Sequence, residues 1–178
     1  MQAIPAQPPG EAMSWEDYVR SGSEPPSEYI GGRRVMVPSP TREHQEICSL
    51  LWVLLRQVPL PGHKVTQAWG WLIGDDEFIP DVMVHPITSE SVRFTGTPLL
   101  VVEVLSTSRA RDLVLKPQRY AKGGAQYYWV FDPVEFILDV FALDADVYNH
   151  VITIEEHEPR TVDLAGVPVV IDLTTLRP

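Results

Sequence analysis

The run Leu99-Leu100-Val101-Val102-Glu103-Val104-Leu105 constrains the fold more than any other part of the chain. Residues this apolar, broken by one carboxylate, read as a strand buried on both faces, which requires a sheet covered on both sides. An ionised carboxylate in such a strand is costly unless a cation or hydrogen bonds compensate it. A second acid has similar surroundings: Asp81, in Ile79-Pro80-Asp81-Val82-Met83-Val84, within a stretch that reads as a strand from Phe78 to Val84. Two such carboxylates invite a shared cation, and a divalent metal taking oxygen ligands suits them. The alternative is a pair of structural acids satisfied by their neighbours. Alternation puts Glu103 on the face of Val101 and Leu105, and Asp81 on that of Ile79 and Met83. Whether the two faces coincide is not readable from the sequence.

The rest of the chain supplies the elements to cover such a sheet. Ser14 before Trp15-Glu16-Asp17 reads as the N-cap of a short helix that ends near Gly22. Gly31-Gly32 sits at the turn of a hairpin between Glu28-Tyr29-Ile30 and Arg33 to Val37. Thr41 to Gln57 has helical apolar spacing and stops at Pro59 and Pro61. Val65 to Ile73 reads as one Trp-rich strand. Ser106-Thr107-Ser108 can cap a helix from Arg109 to Lys122, which stops at Gly123-Gly124. Gln126 to Phe131 and Phe136 to Ala142 read as strands, and weaker β signals run from Val147 to Ile171. This order implies an α/β (α+β) fold with a central mixed sheet.

A length of 178 residues suits one domain. The expected division is a flexible tail over 1–12 and a single domain over 13–178. No apolar stretch reaches the ~18 residues of a membrane helix, and Met1 to Glu11 lacks the pattern of a secretory signal. The one cysteine, Cys48, reads as a buried, inert thiol. It excludes a disulfide framework and fits a reducing cytoplasm.

Charge is unevenly placed. The formal net charge is −10, which repels polyanions at long range. Yet Arg109, Arg111, Lys116, Arg119 and Lys122 face only Asp112 within their segment, whereas nine acids and one base lie between Asp132 and Asp163. The basic segment follows the Glu103 strand directly.

Lys116 has two readings. It is either the cation that orients water or stabilises developing negative charge beside the carboxylates, or the solvated partner of Asp112 four residues earlier. His44, near the start of the long helix, either approaches the site or is a helix-surface residue. His63, His85, His150 and His157 do not pair with cysteines or with one another at zinc spacing. No phosphate-binding glycine loop and no nucleophile elbow occur. Ser106 reads as a cap. Trp69 and Trp71 are read as strand packing, with base stacking as the alternative.

The ordered series is Glu28-Tyr29-Ile30-Gly31-Gly32-Arg33-Arg34-Val35, Pro38-Ser39-Pro40 with His44-Gln45, Pro80-Asp81-Val82, Val101-Val102-Glu103-Val104-Leu105-Ser106, then Asp112, Lys116 and Tyr120, then Tyr128-Trp129-Val130-Phe131-Asp132-Pro133. Over residues 26–142 it resembles the Uma ("Uma-two", DUF820-type) family of restriction-endonuclease-like proteins, within the PD-(D/E)xK nuclease superfamily. The resemblance implies a restriction-endonuclease-like core with an extra N-terminal hairpin and C-terminal strands. It implies Mg2+- or Mn2+-dependent hydrolysis of DNA phosphodiesters, with Asp81, Glu103 and the Val104 backbone carbonyl on the metal. The superfamily's usual lysine falls at Leu105, and the family pattern shifts that role to Lys116. Glu28 and His44 match recurring positions that support the site. DNA as partner and a homodimer, which would supply two sites for two strands, are further implications. The DNA is expected to meet Arg109, Arg111, Arg119 and Lys122. The alternative is a catalytically inactive nuclease-fold module used for binding or interaction.

Overall fold

The computed structural model describes residues 10–22, 24–106 and 109–178, with side chains from residue 114 onward in the last stretch. The elements in chain order are β1 (Glu11–Ala12), α1 (Trp15–Ser21), β2 (Ser27–Tyr29), β3 (Arg33–Met36), α2 (Arg42–Gln57), β4 (His63–Gln67), β5 (Gly70–Ile73), β6 (Asp76–Phe78), β7 (Val82–Pro86), β8 (Arg93–Phe94) and β9 (Leu100–Val104). There follow α3 (Arg109–Lys122), β10 (Tyr127–Asp132), β11 (Ile137–Asp144), β12 (Val147–Ile154), β13 (Arg160–Leu164), β14 (Val167–Ile171) and a 3-10 turn, Leu173–Leu176. Residues 1–9 of the expected tail lie outside the described residues, while Glu11 and Ala12 pair with Arg34 and Arg33 of β3.

Local signals explain most boundaries. The Ser14 hydroxyl accepts from the Asp17 N–H at 3.1 Å, and the Thr41 hydroxyl from that of His44 at 3.2 Å. Each satisfies an N–H that the first turn of a helix leaves open. Gly31 and Gly32 adopt φ of 59° and 75° between β2 and β3. A two-residue turn with both φ positive matches the twist of the flanking strands, and glycine takes it without strain. At the end of α3, Gly124 has φ 81° and its N–H bonds the Ala121 carbonyl at 2.9 Å.

The central sheet has the order β12-β11-β10-β9-β7-β4. It is mixed: β9 and β10 run parallel, and the other neighbours are antiparallel. Parallel neighbours need a crossover connection, and α3 supplies it. A second sheet, β1-β3-β2-β6-β5-β8, packs with α3 on one face. The opposite face carries α2, the β13–β14 hairpin and the 3-10 turn. Alternation along β9 divides its side chains between two cores. Leu100, Val102 and Val104 join Leu51, Trp129 and Phe131; Val101 and Leu105 join Trp71, Phe78, Tyr120 and Tyr128. Each fully buried aliphatic or aromatic side chain contributes about 1.5–3 kcal/mol.

Two strands expected to be continuous are broken. The Val65–Ile73 stretch divides into β4 and β5, which belong to different sheets, with Ala68 between them at φ 46°. The Phe78–Val84 stretch divides in the same way into β6 and β7. The Ala68 N–H donates to the Asp81 carbonyl at 3.2 Å, so the breaks face each other. They form a corner at which a long bent hairpin passes from one sheet to the other. Pro80 has no N–H for a ladder, which is the local reason for the break. Asp81 therefore stands at this corner, immediately before β7, rather than within a strand. No helix among the described residues is long and apolar enough to cross a membrane.

Candidate active site

The corner and the crossover helix bring the predicted acids and the lysine together. β7 and β9 pair as Val84↔Leu100, Met83↔Val101 and Val82↔Val102. The paired register ends at Val82↔Val102, so Asp81 directly precedes the paired stretch of β7 and Glu103 directly follows that of β9. The Val104 N–H donates to Asp81 Oδ2 at 2.8 Å, fixing the corner acid against the end of β9.

Glu103 is 2 % exposed and faces α3. A crossover helix packs back over the strand it leaves; here it sets Lys116 and Tyr120, four residues apart and so on one helical face, above the carboxylate. Lys116 Nζ lies 2.9 Å from Glu103 Oε2, and the Tyr120 hydroxyl donates to Oε1 at 2.6 Å. Lys116 is 5 % exposed, which replaces the solvated reading with a buried ion pair. The Asp112 side chain lies outside the described residues.

Glu28 reaches the cluster from β2. Its Oε1 accepts from the Ile79 N–H at 3.1 Å and lies 3.5 Å from Lys116 Nζ. Its Oε2 is buried without a partner. His44 enters from α2, its side chain 15 % exposed rather than on the surface. Its Nε2 lies 3.1 Å from the Val104 carbonyl and 3.5 Å from Asp81 Oδ2. A carbonyl only accepts, so Nε2 donates to it, and Nδ1 faces Cys48 Sγ, 3.6 Å away. Burial first, then the charges of Asp81 and Glu103, push the Cys48 thiol well up, so it is protonated at neutral pH.

The predicted DNA face is only partly described. Arg119 pairs with Asp76 at 3.3 Å and is partly exposed, and Lys122 is exposed. The side chains of Arg109 and Arg111 lie outside the described residues, as do Thr107 and Ser108 of the expected cap. Trp71 is 1 % exposed against Tyr120, and Trp69 packs on His85 and Phe94; both are packing residues. Sequence reasoning gave Tyr120 no role in the site, although its spacing from Lys116 signals a shared helical face. It also missed the His44–Cys48 contact, whose signal is the same four-residue spacing.

The donor set suits a hard divalent cation. Asp81, Glu103 and the Val104 carbonyl offer oxygen alone, the chemistry Mg2+ takes. Among the described side chains, three carboxylates (Glu28, Asp81, Glu103) against the Lys116 ammonium leave two formal negative charges. The orphaned Glu28 oxygen marks the same excess of acceptors over donors.

Two buried phenols give the fold an alkaline limit. Tyr120 is pushed well above its ordinary 10, by burial first and then by the charges of Glu103 and Glu28. Tyr18, whose hydroxyl donates to the Ser27 carbonyl at 2.7 Å, is pushed up to about 12, again mainly by burial. A raised folded-state pKa contributes stability that is complete below the unfolded value and is lost as pH rises through the folded one. Urea midpoints should therefore fall as pH climbs from ~10 towards 12. Tyr18→Phe should flatten that fall, and an unchanged profile in the variant would refute the assignment.

A central mixed sheet with a βαβ crossover, a second sheet on the same face and helices on both sides define an α+β fold of the nuclease-like class. The family model Uma2, described as "Putative restriction endonuclease", matches residues 15–175, and the chain belongs to that family. A crystal structure of "a putative nuclease belonging to DUF820" from Anabaena variabilis ATCC 29413 shares the fold with a TM-score of 0.73 and 22 % identity, covering 92 % of this chain and 97 % of that one. No curated protein matches.

Proposed function

We propose that the protein is a Mg2+- or Mn2+-dependent endonuclease that hydrolyses DNA phosphodiester bonds. The carrying observation is that Asp81 accepts from the Val104 N–H, next to Glu103 in β9, while Lys116 lies 2.9 Å from Glu103. Family membership supports the same reading. Asp81, Glu103 and the Val104 carbonyl would hold the ion, which when bound lowers the pKa of a coordinated water and neutralises charge on the phosphoryl oxygens.

The chain's own groups do the rest. The Val104 N–H and the Tyr120 hydroxyl fix the two carboxylates. Lys116 brings an ammonium to the position that Leu105 leaves apolar, close enough to orient water or to stabilise developing charge. Glu28 holds both that ammonium and the corner peptide at Ile79. The basic segment Arg109–Lys122 would offset the repulsion of DNA by the net charge of −10. A homodimer would place one site on each strand.

Asp81→Asn and Glu103→Gln should each lower plasmid nicking in Mg2+ or Mn2+ by about 10²–10³-fold, the loss typical when one preorganised charge-stabilising group is removed. Equal residual nicking in wild type and both variants would mark it as contamination and sink the reading. In calorimetry, Mg2+ binding that disappears in Asp81→Asn would count against a purely non-catalytic binding module.

A further inference from the structure

We propose that His44, Cys48 and Asp81 form a binding site for a thiophilic divalent cation of the Zn2+ class. One donor atom from each residue lies within 4.8 Å of the other two. His44 and Cys48 are four residues apart on α2, which puts both on one face of the helix. His44 Nδ1 and Cys48 Sγ are already 3.6 Å apart, and an Asp81 oxygen completes the set within 4.8 Å. Ligands about 2.0–2.3 Å from a tetrahedral zinc ion lie roughly 3.3–3.7 Å from one another, so the His44–Cys48 pair already fits and the Asp81 carboxylate has to close by at most about 1 Å.

The surroundings have the form of a metal-ligating histidine's support. Such a ring donates its second N–H to a carbonyl or carboxylate, which fixes the tautomer and aims the lone pair. The Val104 carbonyl receives that N–H at 3.1 Å, and Nδ1 is aimed at the thiol. Cys48 itself is 7 % exposed, whereas the Asp81 side chain is 22 % exposed, so the ion has a path from the Asp81 side. On binding, the Cys48 S–H bond breaks, a metal–sulfur bond forms and the proton passes to the buffer.

Nitrogen and sulfur donors select against Mg2+ and for zinc-like ions. Asp81 is common to this set and to the oxygen set described above, so the two ions compete for one carboxylate. That regulatory consequence rests on the nuclease reading; the binding itself does not.

The test uses Co2+ as a spectroscopic stand-in on the full chain. Wild type should show a thiolate-to-cobalt charge-transfer band that equimolar Zn2+ displaces and equimolar Mg2+ does not. Cys48→Ser, which keeps size and fold, should lose the band. It should also bind Zn2+ roughly 100-fold or more weakly, since even an outer-shell partner is worth 10–100-fold. His44→Gln is a second variant with the same expectation. Absence of the band in folded wild-type protein, or its survival in Cys48→Ser, would overturn the site whatever the nicking assays show. If zinc also suppresses nicking, Cys48→Ser should restore it in the presence of the ion; equal suppression in both would overturn the competition alone.

Discussion

Lys116→Met should lower the unfolding free energy by about 3–5 kcal/mol, the usual cost of removing one partner from a buried ion pair. Lys116 and Glu103 are 5 % and 2 % exposed, and Glu28, at 1 %, shares the same ammonium. Methionine fills the space of the lysine stem but leaves two carboxylates in an apolar core with less compensation. Adding Glu103→Gln should recover part of the loss, with a coupling of ~0.5–3 kcal/mol in a double-mutant cycle. A single-variant cost under ~1 kcal/mol would mean that the pair behaves like a surface one. The same variant should lose nicking even where it remains folded, because Leu105 offers no substitute cation.

Trp129→Ala should cost about 3–5 kcal/mol, while Trp129→Phe should cost far less. Trp129 is 0 % exposed on β10, packed into the core beneath α2. Its indole Nε1 is buried and has no hydrogen-bond partner among the described residues. Alanine removes the whole ring and leaves a cavity. Phenylalanine keeps most of the apolar contact and deletes a donor whose desolvation was never compensated. The gap between the variants, read from urea unfolding at one pH, measures packing separately from polarity. Equal costs would show that the indole N–H is satisfied after all, for instance by water.

The strand bearing Glu103 was legible because a short, dense apolar run interrupted by a single acid reads as a buried strand. The cap at Ser14 and the turn at Gly31-Gly32 were legible because their chemistry is local. The corner was not, because periodicity along Val65–Ile73 and Phe78–Val84 carries no record of which sheet each half joins. Pro80 was the one local hint. The partnership of Lys116 was hidden for a different reason: Asp112 at four residues' distance offers an equally good solvated partner, and only the path of the crossover helix decides between them. His44 and Cys48 met the spacing rule for a shared helical face. Their contact with Asp81 depends on the corner, so it stayed out of reach.

The convergence of Glu28, Glu103 and Lys116 also sets when the site comes into being. Glu28 belongs to the second sheet, Glu103 to the central one and Lys116 to the crossover between β9 and β10. Glu103 and Lys116 lie only 13 residues apart, whereas Glu28 reaches the ammonium from far earlier in the chain, and that longer loop carries the greater closure entropy. A partly folded chain can therefore pair Glu103 with Lys116 before Glu28 completes the cluster. The complete cluster of three charges exists only in the finished fold.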